Sequence, residues 1–223
     1  MSGKLLLWLS FISMLLIQTT GFTYYNCEPD GNFTTNSTYR RNLDTALSTL
    51  PTTNTGLGFF NYSAGQGSDR VNSAALCRGD INQDVCRSCL NDSVVNLREV
   101  CPNQKGAVGY YDECWLRYTN NAILGNTDLN SGLILYNIQN ASDLDGFNEV
   151  VRPLLNNLID DAAAGGSLRK FASGITTGPD GITLYGLVQC TPDLSRLQCS
   201  DCLQNSITGF YLKYGGRIGV KSD

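Results

Sequence analysis

Two short cysteine motifs have the residue types and spacing that could do chemistry. Cys86-Arg-Ser-Cys89 and Cys199-Ser-Asp-Cys202 carry the C-x2-C spacing of dithiol redox catalysts. That chemistry needs the two sulfurs bonded to each other at a helix start, with one thiol held acidic. Here a third cysteine stands upstream of each pair, Cys77 and Cys190, giving C-x8-C-x2-C twice. The upstream partner makes structural bridges the better reading of both motifs. Three thiolates per motif have the spacing to hold zinc, but the chain has nine cysteines and no histidine to join them. The missing histidine also excludes a Ser-His-Asp triad and a Cys-His dyad.

Acidic side chains offer no substitute. Asp160 and Asp161 are adjacent on an expected helix, so they point about 100° apart and cannot face each other as an acid/base pair. Asp112 and Glu113 precede Cys114 in an expected turn between strands. No nucleophile is paired with a base, so the chain is not expected to be an enzyme, and no cofactor or metal is expected.

Composition narrows the class further. Among 223 residues, 20 are acidic and 16 basic, a formal charge of −4. A nucleic-acid binder would need the opposite balance. Hydrophobic residues make up 42% and charged residues 16%, which suits a packed chain rather than a disordered one. Lys4 is followed by an apolar run, Leu5 to Ile17, and then by small and polar residues to Gly21. The run is shorter than the roughly 20 residues of a membrane span. It reads as a secretory signal peptide over residues 1–22, and no later segment is long enough to span. The protein is therefore expected to be secreted, in an oxidising extracellular space. Asn32, Asn36, Asn61, Asn91 and Asn140 each begin an N-glycosylation sequon, as secretion would allow. Asn91 follows a cysteine pair on an expected helix and is the least suited.

The cysteines are positioned by a repeated unit. Cys77, Cys86 and Cys89 recur as Cys190, Cys199 and Cys202 at a constant offset of 113. Asp80, Leu90, Ser93 and Val94 align with Asp193, Leu203, Ser206 and Ile207 at that offset. Leu43, Ala46, Leu47 and Leu50 form an apolar helical stripe, answered by Val151, Leu154, Leu155 and Leu158, with Pro153 near the start of the second helix. Gly-rich stretches follow, holding Gly56, Gly58, Gly65 and Gly67 in the first copy and Gly174, Gly178 and Gly181 in the second. Strands are then expected over Val71–Cys77 and Ile182–Cys190. The cysteine-pair helices present Cys86, Cys89, Leu90, Val94 and Leu97 on one face, and Cys199, Cys202, Leu203, Ile207 and Phe210 on the other copy's. Further strands are read at Ala107–Tyr111 and Cys114–Tyr118. The fold class is α+β: two tandem copies of a sheet packed on two helices. The division is 23–125 for the first copy, 126–145 for a linker and 146–223 for the second.

The C-x8-C-x2-C pattern, this element order and Cys114-Trp115-Leu116-Arg117-Tyr118 resemble the plant ginkbilobin-homologous domain, also called domain of unknown function 26. Tandem pairs of it occur in cysteine-rich repeat secretory proteins, plasmodesmata-located proteins and ectodomains of cysteine-rich receptor-like kinases. The resemblance runs from about residue 24 onward, fully in the first copy and partly in the second. It implies an antiparallel five-stranded sheet on two helices. It also implies the bridges Cys77–Cys86, Cys89–Cys114 and Cys27–Cys101, where six cysteines alone would leave 15 pairings open. Loop-closure entropy makes each such bridge worth about 2.5 to 4.5 kcal/mol, comparable together to a small domain's whole stability.

In the second copy, Cys190 and Cys199 are expected to pair and Cys202 to be left unpaired, free or bridging two chains as a route to a dimer. The second copy reads as C-terminally truncated, lacking a counterpart of Cys114, as a shortened gene model or splice form would be. Mannose-binding members of the family hold the sugar with Asn, Arg and Glu. The matching positions in the first copy are Glu28, Val108 and Thr119, all different. In the second copy only Arg217, in Gly215-Gly216-Arg217, matches. Among the aromatics, Phe59, Phe60 and Tyr62 cluster in the first Gly-rich stretch, Tyr110, Tyr111 and Tyr118 lie on later strands, and Trp115 is expected in the core. The resemblance implies a secreted apoplastic module in plant stress or defence (antifungal) signalling, with an unknown protein or carbohydrate ligand in the cell wall space. The alternatives are a truncated receptor-like kinase ectodomain and a mannose-binding lectin.

Overall fold

The computed structural model describes residues 24–53, 58–127, 134–165, 169–214, 216–217 and 219–222. The expected signal peptide and Gly56 lie outside them. In the first copy the chain runs through β1 (Tyr24–Asn32), α1 (Thr38–Thr49), β2 (Phe59–Ala64), β3 (Val71–Cys77), α2 (Gln83–Val100), β4 (Gln104–Tyr110) and β5 (Cys114–Thr119). The five strands form one antiparallel sheet in the order β1-β4-β5-β3-β2.

Local chemistry sets the helix starts. The Ser37 hydroxyl accepts from the Arg40 amide to begin α1, and the Asn82 carboxamide accepts from the Val85 amide to begin α2. Arg98 in the last turn of α2 complements the negative helix end. Tyr39, Leu43, Ala46 and Leu47 of α1 and Cys86, Cys89, Leu90 and Leu97 of α2 are buried. They meet Val71, Ala75, Ala107, Leu116 and Tyr118 from the sheet in one continuous core.

The opposite sheet face carries a second, smaller cluster of Phe59, Ala74 and Leu76, with Trp115 and Ile123 packed at its margin. Trp115 is half-buried there, not in the helix-facing core where it was expected. Strand alternation explains this: Cys114 and Leu116 take the core side, which turns Trp115 away.

The second copy comprises β6 (Ile134–Tyr136), α3 (Leu144–Ala164), β7 (Lys170–Thr177), β8 (Thr183–Cys190), α4 (Arg196–Tyr214) and β9 (Val220–Ser222). β7 and β8 form an antiparallel hairpin, and β6 pairs antiparallel with β9. β6 falls in the stretch read as linker, yet its partner is the last strand of the second copy. Helix α3 begins at Leu144, capped by Asp143, so Pro153 sits in its interior rather than near its start. The apolar stripe alone hid the polar first turns. Leu154 and Leu158 of α3 pack against the hairpin. Gly186 permits that approach, since a Cβ there would lie 2.7 Å from Leu158 Cδ1. Both Gly-rich stretches contain strands that the sequence did not reveal, β2 and β7.

Candidate functional site

Four disulfides staple the two copies. The structure joins Cys27 to Cys101, Cys77 to Cys86, Cys89 to Cys114, and Cys190 to Cys199. The first ties β1 to the end of α2, and the next two tie α2 to β3 and β5. Cys202, one turn beyond Cys199 on α4, is free and half-buried, and that burial raises its thiol pKa. The close pairs of the C-x2-C motifs are therefore not bonded to each other.

The positions that match the family's sugar-binding residues are closed in the first copy. Glu28 is 7% exposed, Val108 2% and Thr119 1%. Glu28 accepts from Arg117 Nε at 2.8 Å across the sheet, filling the space with an internal ion pair. Val108 lies opposite Arg117 in the β4–β5 register and offers no hydrogen bond. A hexose hydroxyl has no open path to these side chains. In the second copy Arg217 donates to the Ile138 carbonyl and stacks over the Tyr136 ring at 5.7 Å. Its backbone bridges to Asn140. Arg217 thus fastens the end of α4 to the β6 segment.

The sequons are spread unevenly. Asn32, Asn36, Asn91 and Asn140 are exposed, and Asn61 is half-buried on β2. Ser93 of the Asn91 sequon is sealed in the core, its hydroxyl donating to the Cys89 carbonyl at 2.6 Å. Asp112 and Glu113 lie in the turn between β4 and β5, and the Asp112 carbonyl accepts from Arg78. Asp160 and Asp161 lie toward the end of α3, both exposed. Among the described residues no three His, Cys, Asp or Glu side chains gather as a metal site. No helix among them is long and apolar enough to cross a membrane.

Two concavities remain. One, of about 340 Å³, lies between α1 and α2 over Leu43 and Val94. Its two arginines, Arg40 and Arg98, both pair with Asp44. The other, of about 190 Å³, opens where the copies meet. It is lined by Arg78 after β3, Arg87 on α2 and Arg169 before β7. The contact that forms it is specific. Gln189 of β8 accepts from the Gly79 amide at 3.2 Å and donates to the Cys77 carbonyl at 3.1 Å. Phe171 packs on Gly79, where a Cβ would lie 2.4 Å from its ring. Arg78 is held by Asp80 at 2.6 Å, which keeps the Asp80 carboxyl below its ordinary range. Arg169 lies over the Phe171 ring at 5.0 Å. Sequence reading missed this cleft because Arg169 is far from Arg78 and Arg87 in the chain and has no repeat counterpart.

A family model described as salt stress response/antifungal matches residues 26–121 and 136–218. Cysteine-rich repeat secretory protein 38 of Arabidopsis thaliana is 37% identical over 208 residues, covering 90% of this chain and 81% of that protein. Cysteine-rich receptor-like protein kinase 7 of the same plant is 42% identical over 195 residues, 85% of this chain. The chain spans between 27% and 35% of the length of the receptor-like kinases it matches. The crystal structure of the tandem ectodomain of the Arabidopsis thaliana cysteine-rich receptor-like protein PDLP8 superposes with a TM-score of 0.77 at 25% identity, over 92% of this chain and 94% of that one.

Proposed function

Because the chain belongs to the salt stress response/antifungal family of tandem cysteine-rich domains, we propose that it is a secreted, non-catalytic binding module of the plant extracellular space, acting in stress or antifungal defence. The observation that carries this reading is the oxidised framework: every cysteine except Cys202 is in a bridge. Such a set persists in oxidising compartments and not in the cytosol. The exposed sequons Asn32, Asn36 and Asn140 would carry glycans, which suits a surface held outside the cell.

The test uses the full chain with a carboxy-terminal fluorescent tag in plasmolysed plant cells. Fluorescence is expected in the space left by the shrunken protoplast, and purified protein is expected to slow the growth of fungal hyphae. Retention inside the cell overturns the reading. Normal hyphal growth at micromolar protein removes the antifungal part and leaves the binding module.

The identities to receptor-like kinases favour a second reading, in which this unit is the ligand-binding ectodomain of such a receptor. Transcript sequencing across the Asp223 codon decides it. A frame continuing through a membrane span into a kinase supports the receptor, and a stop codon supports the secreted module.

A further inference from the structure

We propose that the cleft between the copies binds an acidic sugar, with Arg87 and Arg169 holding its carboxylate. The cleft is lined by three arginines and by no Asp or Glu. Arg78 is largely committed to Asp80 and to the Asp112 carbonyl. Arg87 is exposed and makes no ion pair among the described residues. Arg169 is exposed, with its guanidinium over the Phe171 ring. Guanidinium groups pair with carboxylates through parallel N–H donors, which fits this set to an oxyanion.

The rest of the cleft selects among oxyanions. The Asn82 carboxamide uses its oxygen on the Val85 amide at 2.9 Å, so its NH2 group is left to donate outward. The Gln83 amide is exposed beside it. Phe60, Ile81 and the Cys77–Cys86 bridge supply an apolar wall. Amide donors, paired guanidiniums and an apolar wall together match a uronic-acid ring. A volume of about 190 Å³ admits one sugar unit, and with a net charge of −4 the chain does not suit a nucleic acid. The groove between α1 and α2 is the weaker candidate. Its arginines are both paired to Asp44.

The site takes Arg78 and Arg87 from one copy and Arg169 from the other, so it exists only while the copies are docked. The inference rests on the binding-module reading, and it is tested in solution, apart from localisation. Calorimetric titration of the full secreted chain with trigalacturonate is expected to show binding that weakens as salt rises. Neutral galactotriose is expected to show none. Arg87→Gln and Arg169→Gln should each weaken binding at least tenfold, with urea midpoints unchanged for Arg87→Gln, whose exposed side chain makes no ion pair among the described residues. Arg40→Gln, in the other groove, should leave affinity unchanged. Inorganic sulfate competing at millimolar concentration supports an oxyanion subsite. Sulfate matching trigalacturonate mole for mole overturns the sugar assignment. Equal binding of galactotriose, or wild-type affinity in both arginine variants, overturns the site, while extracellular localisation would still stand.

Discussion

Cys202 shows how one side chain's surroundings set its chemistry. Its neighbour Cys199 is fully buried in a bridge, while Cys202 keeps its thiol and is half-buried. Burial disfavours the charged thiolate and so raises the pKa. Because the thiolate is the nucleophile, less of it is present at pH 8 than in an open cysteine. Alkylation of the native protein by iodoacetamide is therefore expected at Cys202 alone, and more slowly than in the urea-unfolded chain. The rate should keep climbing as pH rises past the range where a free cysteine ionises, about 8.5. Labelling at the unfolded rate would contradict the burial, and absence of label under denaturing, non-reducing conditions would place Cys202 in a bridge between chains. The same residue scale bears on the sugar question. Where the resemblance expects an amide, Glu28 carries a carboxylate, and that carboxylate pairs with Arg117.

At the scale of elements, α3 carries an internal cost. Pro153 lies within Leu144–Ala164 on the exposed side. It lacks the N–H that would bond the Glu149 carbonyl, and its ring crowds that turn. Proline costs about 3 kcal/mol relative to alanine inside a helix, and its stiffening of the unfolded chain returns less than about 1 kcal/mol. Pro153→Ala is thus expected to stabilise the second copy by about 2 kcal/mol, read as a higher urea midpoint for the far-ultraviolet signal. A lower midpoint would mean that Pro153 is needed to seat Leu154 and Leu158 on the hairpin.

The helices were legible because their stripes repeat at helical spacing: Leu43, Ala46 and Leu47 are buried as that spacing requires. β3 was legible from its run of apolar residues. β2 and β7 were not, because Asn61, Ser63, Ser173 and Thr177 dilute the signal and glycines bracket them. Gly174 was read as part of a Gly-rich stretch, yet it lies within β7 where α3 comes close, and Gly186, inside the strand expected from sequence, is where α3 comes closest to β8. The offset of 113 located the cysteines, but no pattern in one copy can show what forms between two copies. That is why the arginine cleft was invisible.

At the scale of the whole molecule, the copies are unequal. The first has one continuous core from Phe33 to Tyr118 and three bridges. The second has small clusters, Leu158 with Ala162, Ala172 and Val188, and Ala163 with Cys190, Leu194 and Cys199, and a single bridge. Less apolar surface is buried per residue, so more of its stability must come from docking. Among the described residues two polar clamps join Phe171, packed on Gly79, in the docking. Gln189 holds the backbone at Cys77 and Gly79, while Asp193 and Gln198 hold the Gly125 amide and carbonyl at 2.6 and 3.2 Å. Gln189→Ala leaves the Cys77 carbonyl and Gly79 amide without that partner, a loss of about 1 to 2 kcal/mol from the contact. The chain's two tryptophans are Trp8, in the expected signal peptide, and Trp115, so fluorescence of the mature chain reports the first copy alone. In the wild type, urea unfolding followed by fluorescence and by far-ultraviolet signal is expected to coincide, because docking couples the copies. In Gln189→Ala the far-ultraviolet signal should begin to fall at lower urea while Trp115 holds its midpoint, since the weaker copy then melts first. Coincident curves in the variant would mean that the second copy's own small core, and not the clamp at Gly79, sustains it.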